Sequence, residues 1–275
     1  VLQETLLATF KKSARKTPAK VSLLVPEGLN EARVEPIGKV SIIKGDGPWL
    51  IPRVAEDAAL LNRLKKMKTR LPDLGYVVST GKLVWNRHKN QLRTEKTKGA
   101  LPLVWAESVT SNGFKFSSVK RNHVPYIQIE KNQRHLITTD SCVLVQRTTS
   151  KEQNRRVLGA VIPQDFIDRY GGVVVENHLN IVYADTLIRE LSVETINGLL
   201  NSQVFDRIYR CISGSVAVSA YELMAVPLPS LDDMKKLEKI IAAGSDRLSI
   251  EKCIAGLYGE SKLELATCTK SGGDC

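Results

Sequence analysis

The period of the hydrophobic pattern changes once along the sequence, and this change limits the folds open to it. Residues 73–183 hold short apolar runs separated by polar loops, a pattern typical of β-strands. From residue 193 onward, apolar residues recur at helical spacing. No internal repeat is visible. Strands followed by helices predict an α+β fold or a mixed α/β unit.

The same pattern predicts individual elements. Strands are expected at residues 6–12, 20–25, 40–44, 75–78, 82–85, 101–105, 126–129, 142–147, 157–162, 173–176 and 180–183. Helices are expected at residues 52–71, 193–201, 205–212, 219–224, 231–243 and 247–258.

The charge balance favours a polyanionic partner. Lys and Arg number 40 against 29 Asp and Glu, which gives a net charge of +11 and a pI of about 9.4. Such an excess attracts nucleic acid, an anionic membrane surface or an acidic protein, although a merely basic surface is the simpler alternative. A basic pI is one mark of nucleic-acid binding, which we favour.

Cysteine usage favours an intracellular protein. The five cysteines include no C-x-x-C pair and no His partner at zinc-ligand spacing, so we expect no metal site and a reducing compartment. No apolar run approaches the ~18 residues of a membrane span. Residues 1–10 do not resemble a signal peptide, and we expect them to be a strand cut from something larger. The expected location is the bacterial cytoplasm, associated with the nucleoid.

Two polar, basic stretches are the strongest candidates for contacts to nucleic acid. Residues 79–100 contain six Lys or Arg and one Glu, and residues 147–156 combine four basic residues with hydroxyls and amides. The side chains of both stretches suit phosphates and base edges, but exposed hairpins would have the same composition. The candidates are Ser79, Thr80, Lys82, Trp85, Asn86, Arg87, His88, Lys89, Arg147, Thr148, Ser150, Lys151, Asn154 and Arg155.

Two shorter segments add candidates. Asn177 and His178 lie between two apolar strands, where they contact nucleic acid or only lock a turn. Ser213 and Ser215 lie in a small-residue loop that suits a phosphate, although a structural turn explains it as well. By side-chain chemistry, Arg87, Arg147 and Arg155 suit guanine, and Asn86 and Asn154 suit adenine.

Several of these blocks, in this order, resemble a known family. They resemble the C-terminal target-recognition region of adenine-N6 DNA methyltransferases from type II restriction-modification systems, over about residues 1–230. The last two blocks also resemble type I specificity subunits. The blocks are residues 78–84, 102–105, 144–152, 176–180, 198–202 and 223–229.

The resemblance implies a division into regions. It implies that residues 1–50 end a catalytic domain and connect it to a target-recognition domain at 51–230. Beyond the resemblance, the helical pattern predicts helices at 231–258, and the composition of 259–275 predicts a disordered tail. The implied fold is a strand-rich DNA-recognition domain followed by a helical C-terminal segment.

The resemblance also implies chemistry that this sequence does not contain. The parent enzyme would flip an adenine and methylate it with S-adenosylmethionine, using an Asn/Asp-Pro-Pro-Tyr/Phe loop. Neither that loop nor a glycine-rich cofactor turn occurs in the 275 residues. We therefore expect a fragment or separate module that is inactive alone and holds no cofactor. Its partners would be duplex DNA and a missing N-terminal catalytic domain. A different nucleic-acid-binding or protein-interaction module is the alternative.

Overall fold

A computed structural model describes residues 6–10, 12, 17–41, 47–148, 155–185 and 190–260. It contains 34% helix and 26% strand, with the helices concentrated after the strands. The α+β fold class is confirmed.

Thirteen strands occur in the described residues. They are β1 (Ala19–Pro26), β2 (Ala32–Val40), β3 (Tyr76–Thr80), β4 (Leu92–Arg93), β5 (Ala100–Val104), β6 (Val109–Thr110), β7 (Gly113–Phe114), β8 (Tyr126–Gln128), β9 (Ile137–Thr138), β10 (Cys142–Gln146), β11 (Gly159–Ile162), β12 (Val173–Val175) and β13 (Leu179–Ala184).

The helices of the described residues mostly follow the strands and start at polar caps. Ser192, Ser202, Ser219, Ser230 and Asp246 each accept a backbone N–H from the first turn of a helix, which satisfies a donor without a helical partner. The helices are α1 (Asp57–Leu64), α2 (Gln164–Tyr170), α3 (Val193–Leu200), α4 (Gln203–Ile212), α5 (Ala220–Ala225), α6 (Leu231–Ala242) and α7 (Arg247–Leu257).

A four-stranded antiparallel sheet forms the middle layer, in the order β11-β10-β13-β3. Alternate residues of β10 face opposite sides. Val143 and Val145 join the large core formed with α1 and α3–α7, whereas Cys142 and Leu144 join a second core. The sheet is therefore buried on both faces, which explains why β10 is a continuous apolar run.

A five-stranded mixed sheet forms the outer layer, in the order β4-β8-β5-β12-β9. One face packs on the four-stranded sheet through Val104, Val173 and Val175. The other face carries Leu103 and Val174, which pack with side chains from the loops that follow β3 and precede β9. The segments that pass between the two sheets include the chain from β3 to β4 and the turn from β12 to β13.

Several predicted elements need correction. The predicted strand at 82–85 is a single bridge at Leu83 followed by a 3₁₀ turn at Trp85–Arg87. The predicted helix at 52–71 is only α1. The Asp57 carboxylate accepts the N–H groups of residues 53 and 54, which holds them in a turn, and Thr69 pairs with Leu228 as extended chain.

The structure also differs at the start of the chain. Residues 6–10 form no strand, and Val40 ends β2 rather than beginning a strand. The sequence pattern missed β2, which contains Pro36 and Gly38, and it missed the short α2. Residues 42–46 and 261–275 lie outside the described residues.

Candidate nucleic-acid interface

The turn at residues 176–178 is the point where several candidate segments meet, and we call it the junction turn. It connects β12 of the outer sheet with β13 of the middle sheet. The N–H of Asn177 donates to the carbonyl of Leu83 at 2.9 Å, and the N–H of Arg147 donates to the carbonyl of His178 at 2.9 Å. The segments around residues 83 and 147, which are 64 positions apart, therefore lie against one turn.

Gly81 makes this meeting possible. Its N–H donates to the carbonyl of Leu179 at 2.8 Å. A Cβ on Gly81 would lie 2.2 Å from the carbonyl oxygen of Glu176 and 2.9 Å from that of Val175, closer than non-bonded atoms approach. Gly81 therefore serves the close approach of two backbone segments.

Arg147 connects the junction turn to the loop before α5. Its guanidinium donates to the carbonyl of Asn177 at 2.7 Å, and its own carbonyl accepts the N–H of Val218 at 2.7 Å. Thr148 then pairs with Ala217, whose N–H donates to the hydroxyl of Ser215. Arg147 and Thr148 thus lie beside the turn that contains Asn177 and His178, and Ser215 lies in the loop that pairs with Thr148.

On the other side, the segment that contacts the turn at Leu83 includes Lys82 and continues into the polar loop at 85–91. Lys82 is exposed and its ammonium donates to the carbonyl of His135 at 2.9 Å. Trp85 packs edge-on against Trp105, with ring centroids 6.1 Å apart, and the Lys89 ammonium lies 5.7 Å from its ring centroid. Trp85 therefore anchors the loop to the core and leaves its polar residues outside.

Within this loop, the polar candidates differ in exposure. Asn86, Arg87 and Lys89 are exposed. His88 is half-buried, and its Nδ1 lies 2.7 Å from the amide oxygen of Gln91. Asn90 is exposed as well, so the loop presents two cations and two amides to a partner.

Positive charge is concentrated in residues 79–138, which we call the cationic segment. It contains eleven Lys or Arg and three Glu, a net charge of +8 out of the +11 of the whole chain. None of the eleven forms an ion pair with a described residue. Its single ion pair among described residues joins His123 to Glu107.

Cations of the helical layer behave differently. Arg207 pairs with Asp57 at 2.6 Å, and Lys236 pairs with Asp233 at 2.6 Å. Arg63, Arg210 and Lys235 also have carboxylate partners. Positive charge in the helices is thus largely neutralised locally, whereas the charge of the cationic segment remains available to an external anion.

Some predicted site residues do not join this surface. The hydroxyl of Ser79 is buried, and Ser213 is buried beneath its loop. Arg155 donates to the carbonyl of Asn201 and pairs with Glu251 at 3.2 Å, which directs it toward the helices. Thr80 is exposed and lies 3.5 Å from the amide oxygen of Asn180. Ser150, Lys151 and Asn154 lie outside the described residues.

Sequence reasoning missed two buried polar residues that build the surface. Asn180 donates its side-chain amide to the carbonyl of Val218 at 2.8 Å, which fixes the loop that pairs with Thr148. Glu176 is fully buried and contacts His178. Polar residues inside the apolar runs around 173–184 were the available signal, because buried polar groups need specific partners.

The described residues show neither a group of three His, Cys, Asp or Glu suited to a metal ion nor a helix long and apolar enough to cross a membrane.

Comparison with known proteins finds relatives among type II methyltransferases. No family model matches the sequence. The chain is 26% identical over 245 residues to the type II methyltransferase M.BsuBI of Bacillus subtilis. It is 24% identical over 253 residues to the type II methyltransferase M.PstI of Providencia stuartii. The matches cover 87% and 89% of this chain but 48% and 49% of the relatives, so the chain spans about half their length.

Proposed function

We propose that this chain is the sequence-specific DNA-recognition part of an adenine-N6 DNA methyltransferase of a restriction-modification system. The observation that carries the proposal is the unpaired net charge of +8 in the cationic segment, together with the convergence of its first loop and Arg147 on one turn. Counterion release at phosphates gives such a surface affinity for duplex DNA. The similarity to two type II methyltransferases supports the choice of DNA as the polyanion.

In this proposal the surface divides positioning from reading. Lys82, Lys89 and Thr148 contact phosphates and fix the orientation of the duplex, because ammonium and hydroxyl groups bind phosphate without selecting a base. Arg87 and Asn86 are exposed on a loop that the buried side of Trp85 holds in place. They read base edges, each good bidentate contact contributing about 1–3 kcal/mol of discrimination.

Arg147 has a more restricted role in the proposal. One of its guanidinium nitrogens is held by the carbonyl of Asn177, which limits the orientation of the group. The remaining N–H donors suit a guanine edge or a phosphate, and their preset direction favours a selective contact.

Methyl transfer belongs to a partner in this proposal. The sequence contains neither an Asn/Asp-Pro-Pro-Tyr/Phe loop nor a glycine-rich cofactor turn, so no step through S-adenosylmethionine is assigned to this chain. A catalytic half would supply both. Exposed large apolar side chains, which often mark protein contacts, are concentrated in residues 6–54 and offer a surface for it. They are Leu6, Leu7, Phe10, Leu23, Leu24, Leu29, Val34, Trp49 and Val54.

Removing single charges tests the proposed surface. Because the proposal assigns Arg87 to a base edge, we expect Arg87→Gln to weaken binding roughly fivefold to tenfold on duplexes that contain that base and much less on the others. An equal loss on all duplexes, with a salt slope lower by about one, would assign Arg87 to a phosphate instead. Fluorescence anisotropy with labelled duplexes of different sequence measures both.

The matched control is Lys236→Gln, which removes the same charge from a lysine already paired with Asp233 on α6. We expect its DNA affinity to equal that of the wild type. Equal losses from Arg87→Gln and Lys236→Gln would show that only total charge matters and would overturn the proposed surface.

A further inference from the structure

Glu176 is a buried carboxylate with an unusual set of partners. Its side chain is 0% exposed. Among the described residues, the carboxylate accepts hydrogen bonds from the backbone N–H of His178 and from its Nδ1, each at 2.8 Å. No Lys or Arg of the described residues pairs with it. A buried carboxylate is costly without hydrogen bonds or a counter-charge, so His178 is the partner that satisfies Glu176 among the described residues.

His178 itself is exposed, with 60% of its side chain accessible. Because Nδ1 is engaged by Glu176, Nε2 is the ring nitrogen left for a ligand. In the imidazolium, Nε2 carries a proton and donates to an acceptor. The neutral ring that donates from Nδ1 to Glu176 has no proton on Nε2, so donation from Nε2 requires the ring to gain a proton.

The charged groups around the pair can be named. Lys82 lies on the segment that bonds to the turn from the β3 side, and its ammonium contacts His135. Arg147 lies on the β10 side and contacts the carbonyl of Asn177. Glu107 follows β5 but pairs with His123. Glu176 is therefore the anion that contacts His178, and two cations flank them.

We propose that Glu176 is a positioning residue that holds His178 as a hydrogen-bond donor to the DNA, and that binding takes up a proton at this imidazole. The acceptor is a phosphate oxygen or the O6/N7 edge of a guanine, which share the chemistry needed. This inference rests on the proposed DNA-binding function. It adds a specific role for His178, a proton dependence, and a reason for burying Glu176.

The comparison of wild type with His178→Gln tests the proposal. DNA affinity is measured on mixed-sequence duplexes at constant ionic strength, between about pH 5 and 8, where imidazoles titrate. Wild type should bind more tightly as pH falls, by up to about tenfold per pH unit for one proton taken up. His178→Gln should lose this component and bind like wild type at high pH. Any pH dependence that remains in His178→Gln is the contribution of the other histidines, and it is subtracted from that of the wild type.

Two further variants separate positioning from structure. His178→Lys carries a charge that does not depend on Glu176, so it should bind more tightly than His178→Gln at high pH and lack the proton-linked component. Glu176→Gln keeps a hydrogen-bond acceptor but removes the negative charge, so its proton-linked component should move to lower pH. Since a buried substitution can prevent folding, the His178 variants alone decide if Glu176→Gln does not fold.

The outcomes distinguish this inference from the proposed function. If wild type and His178→Gln bind DNA with the same pH profile, the inference is wrong and the proposed function stands. If wild type does not bind duplex DNA, both are wrong. A His178→Gln loss that is equal on all duplexes identifies a phosphate acceptor, and a loss confined to some duplexes identifies a base edge.

Discussion

Gly81 and His178 illustrate what residue-level reasoning can and cannot predict. Polar candidates such as Arg147 and His178 were predictable from residue type, because their chemistry suits phosphates and bases. The role of Gly81 was not, because the close approach of residues 175–176 arises from pairing between segments about 95 positions apart. The burial of Ser213 was equally hidden, since a small-residue loop looks the same whether its hydroxyls face solvent or the core.

Gly81 provides a prediction at this scale. We expect Gly81→Ala to lower the free energy of unfolding by about 2–4 kcal/mol, because the added methyl group overlaps backbone that cannot move independently. It should also weaken DNA binding by displacing Lys82 and the loop at 85–91. Urea denaturation and duplex binding measure the two effects.

The control for this substitution is Gly256→Ala in α7. Gly256 is exposed, and nothing lies within 4 Å of the position its Cβ would take. Alanine should therefore raise the free energy of unfolding by up to about 1 kcal/mol through helix propensity. A Gly81→Ala protein as stable as the wild type would refute the close approach.

At the scale of elements, hydrophobic period predicted most of what is buried. β5, β10, β12 and β13 were predictable as apolar runs, and α3–α7 as helical patterns, because tertiary packing follows the same periods. The bridge at Leu83 was predicted as a longer strand. Its hydrogen bonds end where Trp85 packs into the apolar cluster of Leu103 and Val174 on the outer sheet. That packing depends on distant residues such as Trp105.

Arg155 is the element-scale case in which structure and sequence suggest different roles. The sequence suggested a guanine contact, whereas in the structure Arg155 joins the chain before β11 to α7 through the buried Glu251. We expect Arg155→Ala to lower the free energy of unfolding by roughly 2 kcal/mol, because Glu251 loses a charged partner.

DNA affinity decides between the two roles of Arg155. The structural role predicts that folded Arg155→Ala protein binds duplex DNA as tightly as the wild type. A loss of affinity without a loss of stability would instead support the base contact inferred from sequence. Urea denaturation with anisotropy on the same sample gives both quantities.

At the scale of the whole molecule, charge and apolar surface are separated along the chain. The cationic segment holds most of the net charge, and the helical layer neutralises its own cations. Residues 6–54 hold most of the exposed large apolar side chains of the described residues. Net charge was evident from composition, but which cations lack partners depends on the fold. This arrangement suits a chain that contacts DNA with one surface and a protein partner with another.

The dependence of duplex binding on salt tests the central claim most directly. Four described cations lie beside the junction turn or on the polar loop at 85–91, namely Lys82, Arg87, Lys89 and Arg147. The logarithm of the association constant should fall with the logarithm of salt concentration with a slope of roughly −2 if only Lys82 and Lys89 contact phosphates, and of up to about −4 if Arg87 and Arg147 do so as well. A slope near zero, or no binding to duplex DNA at low salt, would contradict the account.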